Sequence, residues 1–487
     1  MLIEDLFRAP WHERMKGVVQ KMVDNVENIK SEEVLQLDLQ EWERSEKRKL
    51  MITGEQYYKN KTDIVKKTRA MNLEWQANNK MSYAFLRKLV DQKTGYLLAK
   101  EPSISTDNQA YADELKDIFN DEMLKRLRNV GKEAINKGIA YLYPYIDEEG
   151  ELKFKKFPSE NILVYWGDSE HTKVNAFLRT YEEEVYEVGG MKKTVKKAEH
   201  YHADGVNFYV VENGKLIPDV PAGIEQEYHF VVGETPYVWD KIPLIPFKYN
   251  EEEQPLIDIV KSLVDNVNLQ SSTMADILAD VPNFIYKLVN YGGADLKEFL
   301  EELNRYRVIK LDENGDLDKL QADIQSAAVE TDIERNRKAI YEFGRGVDTG
   351  DDDSLGNASG VALRFRYSDL DLDCNIIESE FKSSISLMLE FVDAYLQIAK
   401  GVDYTEETAK FIFNRDIIIN ESEVINDCQA STGIIDEQTI RENHPWYNEL
   451  VEERLKKEEA AAKKAMEEYN FPNGENDEKD DPNGGEA

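Results

Sequence analysis

Three consecutive aspartates, Asp351 to Asp353, lie in a stretch that is otherwise rich in Gly, Ser and Asn. Carboxylate oxygens are the ligands that Mg²⁺ and Ca²⁺ prefer, so this group could coordinate either ion. The spacing of an EF-hand loop, with its central Gly and its terminal Glu, is absent. The favoured interpretation is therefore a solvated acidic loop without a bound metal.

A second group of candidate ligands consists of His200, His202 and Asp204. Alternate residues of a strand face the same side, so the two imidazoles would share one face if this segment is a strand. Such a pair could bind a metal ion, but the sequence places no third ligand beside it. An ordinary solvated strand face is the favoured interpretation, and we assign no metal site.

Familiar catalytic motifs are absent from the sequence. It contains no P-loop, no HExxH and no GxSxG, and Gly344-Arg345-Gly346 lacks the third glycine of a dinucleotide fingerprint. The two cysteines, Cys374 and Cys428, are too few for a disulfide framework and are expected to be buried and reduced. The motif survey therefore predicts a protein that is not an enzyme and that needs no cofactor.

The net charge of the chain limits the partners that its surface can bind. The chain has 487 residues and a formal net charge of -35, so its general surface should repel nucleic acid. The N-terminus shows no signal-peptide pattern, and no run of about 18 apolar residues predicts a membrane span.

The periodicity of apolar residues predicts an α+β fold. Helical patterns cover residues 1–50, Met71 to Leu98 with an end near Gly95, and two segments between Asn108 and Ala140. An alternating pattern then predicts an antiparallel β region from Tyr141 to about Lys248, with a separate strand at Val185 to Val188. The prolines of residues 237–255 argue against a central strand there.

Two long helical patterns, Pro255 to about Asp280 and Gln321 to Phe343, bracket a small αβ insert. Within this insert, Ile285 to Val289 is predicted as a strand, and a hairpin is predicted around Asn314-Gly315. A long helix from Val361 to Lys400 follows the acidic loop, and a kink is predicted in its Asp369 to Asn375 segment. The tail from Phe471 is acidic and rich in Pro, Gly and Asn, so we expect it to be disordered.

Four segments in this order resemble the portal proteins of tailed bacteriophages, of the type found in long-tailed phages of Gram-positive hosts. They are DQKTGYLLAKEP (Asp91 to Pro102), WDKIPLIPFKYNEEEQP (Trp239 to Pro255), IYKLVNYGG (Ile285 to Gly293) and IYEFGRGVDTGDDDSLGNASGVALRFRYSDLDL (Ile340 to Leu372). The resemblance covers about residues 50–450. It implies a portal-type fold.

In that fold the chain would divide into parts that the family names. Residues 1–254 would form the wing, 255–280 and 321–345 the stem helices, and 281–320 the clip. A tunnel loop would occupy residues 346–360, a long kinked helix 361–400, a crown 401–470 and the acidic tail 471–487. The resemblance implies that the tunnel loop lines the DNA channel through Gly346, Val347, Asp348, Thr349, Gly350, Asp351, Asp352, Asp353, Ser354, Leu355, Gly356 and Asn357. It also implies that the clip docks partners, for which the candidate residues are Tyr291, Lys297, Glu302 and Arg305.

The function that the resemblance implies is mechanical. A dodecameric ring at one capsid vertex would form the channel for packaging, retaining and ejecting double-stranded DNA. Its expected partners are the terminase large subunit, head-completion and connector proteins, and the major capsid and scaffolding proteins. No membrane partner is expected. The chain would occur in the host cytoplasm during assembly and in the virion afterwards.

Two other classes remain open at this point. Asp351 to Asp353 could serve a carboxylate-dependent nuclease or another phosphoryl-transfer enzyme, which chelator-sensitive DNA cleavage would reveal. The chain could also be a different capsid-associated structural protein without a DNA channel, which images of a ring with an axial hole would exclude.

Overall fold

The computed structural model describes residues 31–68, 77–100, 102–186, 192–280, 285–289, 316–320, 326–350, 360–415 and 421–447, and residues 451–461 except 453 and 459. The predictions for residues 1–30 and for the tail from Phe471 lie outside the described residues. The chain divides into two compact units, residues 1–351 with 366–416, and residues 352–365 with 417–487.

The described helices follow the apolar periodicity of the sequence. In chain order they are α1 Glu32–Arg44, α2 Glu46–Tyr58, α3 Phe85–Leu98, α4 Gln109–Ile118, α5 Asp121–Lys137, α6 Leu256–Asp280, α7 Ser326–Phe343, α8 Gly360–Lys400, α9 Glu421–Ala430 and α10 Glu437–Glu442. None of the helices within the described ranges is long and apolar enough to cross a bilayer.

Side chains fix several of these helix ends. The side-chain oxygens of Asn108 and Asn120 accept backbone N–H groups in the first turns of α4 and α5, which leaves fewer donors unsatisfied there. Gly138 follows the end of α5 with a φ of +84°, and a Cβ at this position would lie 1.9 Å from the Glu253 carbonyl oxygen. Glycine is the residue that tolerates both conditions at a helix end. The predicted pair of helices between Asn108 and Ala140 is thus confirmed.

Helix α3 differs from its prediction. It begins at Phe85, residues 77–84 are not helical, and Gly95 lies inside the helix rather than at its end. The hydrophobic residues before Phe85 do not form a buried helix face: Met81 and Tyr83 are exposed, and Tyr83 packs locally against Phe85 at 5.8 Å between ring centroids. Periodicity cannot distinguish these two causes of an apolar pattern.

The β region consists of several antiparallel sheets. Its strands are β2 Ile139–Ile146, β3 Leu152–Phe157, β4 Ile162–Trp166, β5 Val174–Tyr186, β6 Lys192–His202, β7 Gly205–Glu212, β8 Lys215–Pro218, β9 Glu225–Gln226, β10 Phe230–Val232, β11 Thr235–Tyr237 and β12 Ile245–Lys248. Strands β4 to β8 pair in sequence order, β9 pairs with β7, and a separate three-stranded sheet has the order β12-β2-β3. Ser103–Ser105, which is β1, pairs with β15, Lys410–Ile412.

One prediction for the β region is wrong: Val185 belongs to β5, which continues as one strand to Tyr186. The prediction that the prolines of residues 237–255 exclude a central strand agrees with the structure, because Ile245–Lys248, which contains Pro246, is an edge strand beside β2. The carbonyl oxygen of Pro246 accepts a hydrogen bond from Ser384 Oγ of α8 at 2.6 Å, so its acceptor is used outside the sheet.

Helices α3, α5, α6 and α8 share the largest hydrophobic core with β2 and β12. Phe381 of α8 is fully buried there and meets the Phe247 ring edge-on, with centroids 5.0 Å apart. Helices α6 and α7 pack against each other as the bracketing pair that the sequence predicts. Between them, β13 Ile285–Val289 pairs with β14 Asp316–Leu320; the other residues of the predicted hairpin lie outside the described ranges. The segment Asp369–Asn375, in which the sequence predicts a kink, lies within helix α8, and the helix is not interrupted there.

The Asp393 carboxyl of α8 is buried, and burial raises its pKa to about 6, with further contributions from nearby Asp403 and Glu390. Because its folded-state pKa exceeds the unfolded value, the native state binds this proton more tightly, and its contribution to stability falls as the pH rises through about 4 to 6. We predict that Asp393→Asn stabilises the protein at pH 7.5 by about 2 kcal/mol, and that this gain disappears towards pH 4.

The asparagine can still accept the Tyr111 hydroxyl, which donates to Asp393 at 2.8 Å. Thermal unfolding of the wild type and the variant across this pH range measures the difference. Asp436→Asn is the control: hydrogen bonds from Thr439 lower the pKa of Asp436, which is not among the charges that act on Asp393, so this substitution should give no gain at pH 7.5. A pH-independent effect of Asp393→Asn would contradict the assignment.

Candidate functional site

The predicted tunnel loop starts where helix α7 ends, and the geometry of that end is well defined. The N–H of Gly346 donates to the Tyr341 carbonyl at 2.8 Å, and that of Arg345 donates to the Glu342 carbonyl at 3.1 Å. This pair of bonds is the Schellman motif, in which the penultimate residue adopts a left-handed conformation. Here that residue is Arg345, with a φ of +48°, and not a glycine.

The two glycines beside Arg345 allow close packing. The φ of Gly346 is not positive, so a left-handed conformation is not the reason for glycine here. A Cβ at Gly346 would lie 2.2 Å from Leu89 Cδ2, and one at Gly344 would lie 2.7 Å from Leu89 Cδ1. Both glycines therefore allow the end of α7 to approach α3 closely.

The next residues are held by side chains of α3 and α7. Gln92 Nε2 donates to the Val347 carbonyl at 2.7 Å, and Gln92 Oε1 accepts the Val347 N–H at 3.2 Å. Lys88 Nζ donates to Thr349 Oγ1 at 2.9 Å. We call residues 345–350 the anchored segment. Its backbone is fixed on both sides of Val347, whose side chain is buried.

Asp348 is the acidic residue of the anchored segment, and its charge is compensated. Arg337 Nη2 of α7 lies 2.8 Å from Asp348 Oδ1, which also accepts the Gly350 N–H at 3.0 Å. The hydrogen bond from Arg337 to this carboxylate raises the pKa of Arg337, so the guanidinium stays charged. Asp348 thus stabilises the turn, while Asp351 to Asp353 lie outside the described residues.

Beneath the anchored segment, Lys93, Tyr249 and Asp373 form a buried charge cluster, and the exposed side chain of Arg345 lies at its edge. Lys93 is fully buried, and its Nζ lies 2.6 Å from Asp373 Oδ2 and 3.0 Å from the Arg345 carbonyl oxygen. Tyr249 donates its hydroxyl to Asp373 Oδ2 at 2.8 Å, and Arg345 Nη1 lies 3.5 Å from Asp373 Oδ1. The cluster therefore joins α3, the end of α7, the segment after β12, and α8.

Protonation in this cluster follows from burial. Burial lowers the pKa of Lys93, and the adjacent Asp373 carboxylate opposes that effect. Burial and Asp373 raise the pKa of Tyr249 well above its ordinary value, so this hydroxyl remains a donor. The thiol of Cys374, next in sequence to Asp373, has its pKa raised to about 12 by burial and stays protonated.

The structure therefore describes only part of the predicted site. Residues 346–350 of the tunnel loop are placed, whereas residues 351–357 and the clip candidates Tyr291, Lys297, Glu302 and Arg305 lie outside the described ranges. The sequence did not identify Gln92, Lys93 or Asp373, which hold the anchored segment. Their partners are distant in the chain, so no local pattern could have identified them.

The interpretation of His200 and His202 as a solvated strand face is wrong, because both side chains are buried. Their rings lie 5.4 Å apart between centroids, and His202 Nε2 is 3.2 Å from Asn207 Oδ1. Across the described part of the chain, no group of three His, Cys, Asp or Glu side chains could hold a metal ion. The prediction that both cysteines are buried and free is confirmed.

Comparison with known families gives a match to "Phage portal protein, SPP1 Gp6-like" over residues 40–468. This span includes α2 to α10, the anchored segment and the buried charge cluster. The chain belongs to this family of phage portal proteins. The match confirms the family that the four sequence segments indicate, and portal proteins are structural rather than catalytic as a family.

Two curated relatives are portal proteins of phages that infect Gram-positive bacteria. The chain is 30% identical to the portal protein of Bacillus phage SPP1 over 453 residues, which cover 90% of this chain and 89% of that protein. It is 28% identical to the portal protein of Clostridium phage phiCD119 over 446 residues, covering 87% of this chain and 96% of the relative.

A solved structure titled as the neck of a native GTA particle, computed with C12 symmetry, also matches. Its TM-score is 0.36 at 13% identity, over 73% of this chain and 88% of that one.

We predict that Lys93→Met lowers the free energy of unfolding by about 3 kcal/mol, because it leaves the buried Asp373 carboxylate without its nearest cation. Adding Asp373→Asn should recover at least about 1 kcal/mol, since the buried charge is then removed as well. Urea denaturation of the two single variants and the double variant measures this coupling.

Lys132→Met provides the matched control. Lys132 Nζ lies 3.3 Å from Asp91 Oδ1, and both side chains of this ion pair are partly exposed. Loss of the pair should therefore cost less than about 1 kcal/mol. If Lys93→Met were as mild as Lys132→Met, the buried cluster would not stabilise the anchored segment.

Proposed function

We propose that this chain assembles into a dodecameric ring at one vertex of a phage capsid. Double-stranded DNA would pass through the axial channel of that ring during packaging, retention and ejection. The observation that carries the proposal is the family match over residues 40–468. A head-to-tail contact between identical subunits closes into a ring when its rotation divides a full turn, so one pair of complementary surfaces suffices.

The charge of the chain supports a channel through which DNA slides rather than binds. A formal net charge of -35 disfavours lasting contact with phosphates, because lasting contact requires cations that neutralise them. We propose that the wall facing the DNA is acidic, with Asp351 to Asp353 at its narrowest part. Asp348 contributes less repulsion than these three, because Arg337 compensates its charge.

We propose that any rearrangement of the tunnel loop occurs in residues 351–359, because the anchored segment before them is bonded to α3 and α7. Helix α8 follows in the chain at Gly360, so such a rearrangement would act on its start. Through Asp373, α8 is tied back to Arg345 at the end of α7.

We propose that the protein acts without catalysis of its own. The energy for translocation would come from the terminase large subunit, and head-completion and connector proteins would bind afterwards. Major capsid and scaffolding proteins would contact the ring during assembly, first in the host cytoplasm and finally in the virion. A competing function as a nuclease at Asp351 to Asp353 predicts chelator-sensitive DNA cleavage by the purified protein.

We expect that replacing Asp351, Asp352 and Asp353 by Lys leaves rings with an axial hole in negative-stain images but slows DNA translocation several-fold. The slowing should diminish as salt rises, because added ions screen contacts between lysines and phosphates. Packaged DNA per head, measured against time at several ionic strengths, gives the rate.

The matched control places the same charge change on exposed residues elsewhere, through Glu227→Lys, Glu234→Lys and Glu406→Lys. It should package at the wild-type rate. Normal packaging by the loop variant at every salt concentration would show that the loop does not line the DNA path. Absence of rings from the wild type would contradict the proposed function itself.

Residues 281–320 are proposed as the clip that docks the terminase and the connector proteins. The described strands β13 and β14 pair with each other and are joined to the long helices α6 and α7, an arrangement that favours a projecting module. We predict that Glu302→Lys and Tyr291→Ala each form normal rings but impair packaging or connector attachment. Co-sedimentation of the ring with terminase measures docking, and unaltered docking and head completion would refute this assignment.

A further inference from the structure

A cleft of about 630 Å³ opens between the β2–β3 hairpin and the sheet formed by β4 to β8. Its walls include Arg126, Tyr143, Tyr145, Lys155, Lys156 and Arg179. Among the described residues that line it, none is Asp or Glu. This composition is unexpected for a chain in which 96 acidic residues outnumber 61 basic ones. We call it the basic-aromatic cleft.

The hairpin places aromatic rings and lysines in a regular pattern on one face. Tyr143 is directly opposite Lys155, and Tyr145 is directly opposite Lys153, so all four side chains share that face. The two tyrosine rings are nearly parallel, with an interplanar angle of 6° and centroids 6.4 Å apart. Both rings are only partly buried, so they leave aromatic surface available to a ligand.

The cations of this region fall into two groups. Arg126 pairs with Glu122, Lys156 with Glu133, and Arg179 with Glu199. Arg179 also lies 4.3 Å above the Phe157 ring. These cations are held by the fold, whereas Lys155 forms no ion pair with any described residue. Lys153 lies outside the cleft, in a neighbouring pocket with Glu114, Glu122 and Glu151. The cleft therefore presents one uncompensated positive charge, that of Lys155, beside two tyrosines.

His229 lines the cleft but adds no charge. Its Nε2 donates to the His202 carbonyl at 2.9 Å, and its Nδ1 accepts the Trp239 N–H at 3.1 Å, which fixes a neutral tautomer. Burial lowers the pKa of His229 further. The positive charge of the cleft thus rests on lysine and arginine and persists through neutral pH.

We propose that the basic-aromatic cleft docks an acidic segment of a partner protein, and that this segment carries at least one aromatic side chain. A carboxylate would pair with Lys155, and the aromatic ring would stack on Tyr145. Oppositely charged surfaces also speed the encounter and suppress wrong partners. A cleft of this volume accommodates a few side chains rather than a folded domain.

A nucleic-acid strand fits this cleft less well. Binding a single strand requires a continuous basic groove along several nucleotides. The hairpin turn beside Tyr145 carries Asp147, Glu148, Glu149 and Glu151, which would repel the phosphates of a passing strand. A short peptide avoids this repulsion because it can end before the turn.

The test uses the full-length protein and a fluorescein-labelled peptide, Asp-Glu-Asp-Phe-Glu-Asp-Glu-Asp, followed by fluorescence anisotropy. We expect saturable binding that Lys155→Glu weakens at least about threefold, because an attractive contact becomes repulsive. Tyr145→Ala should weaken it about fivefold through loss of stacking. The control, Lys215→Glu, reverses one exposed charge elsewhere and should bind as the wild type does.

Four results would overturn the proposal. One is absence of binding by the wild type, and another is an equal loss in the control variant. The third is tighter binding of an oligothymidylate with the same number of charges, which would assign the cleft to nucleic acid. Circular dichroism and the mass of the assembled protein are measured for every variant. A change in assembly caused by Tyr145→Ala would instead assign the cleft to contact with a second copy of this chain.

Discussion

The ion pair between Lys93 and Asp373 is the interaction on which the arrangement of the central helices depends. Both side chains are almost completely excluded from water, so their charges are tolerable only while they remain together. Satisfying them requires Tyr249 and the carbonyl of Arg345 as well. This requirement fixes α3, the end of α7 and α8 relative to one another around the start of the tunnel loop. The helices on either side of that loop are thus joined by charge as well as by hydrophobic packing.

Much of the secondary structure could be predicted from the sequence because its causes are local. Helices α4 and α5 follow from their periodicity and their Asn caps, and the β2–β3 hairpin follows from alternating tyrosines and an acidic turn with Gly150. Pro255 marks the start of α6 because proline is tolerated in the first turn of a helix. The family resemblance came from short segments in a fixed order, and the match over residues 40–468 confirms it.

The parts that sequence could not predict depend on tertiary contacts. The burial of His200 and His202 is decided by what covers β6, and periodicity gives no sign of it. The need for glycine at position 346 comes from the limited space beside Leu89, which lies far away in the sequence. Asp348 could not be recognised as a paired residue, because Arg337 comes within reach only when the chain turns back after α7. For the candidate site, the sequence located the loop, but the contacts that hold its base appear only in the structure.

Strand β12 has a consequence for how this protein behaves in the crowded conditions of assembly. An open sheet edge invites strand addition by other chains, which leads to aggregation. At the middle of β12, strand addition is disfavoured because Pro246 has no N–H to donate and its carbonyl oxygen already accepts a hydrogen bond from Ser384. A molecule that must meet many copies of itself can therefore associate through its side-chain surfaces without its sheets polymerising at this edge. The proline that argues against a central strand in the sequence thus removes a free donor from this buried edge strand.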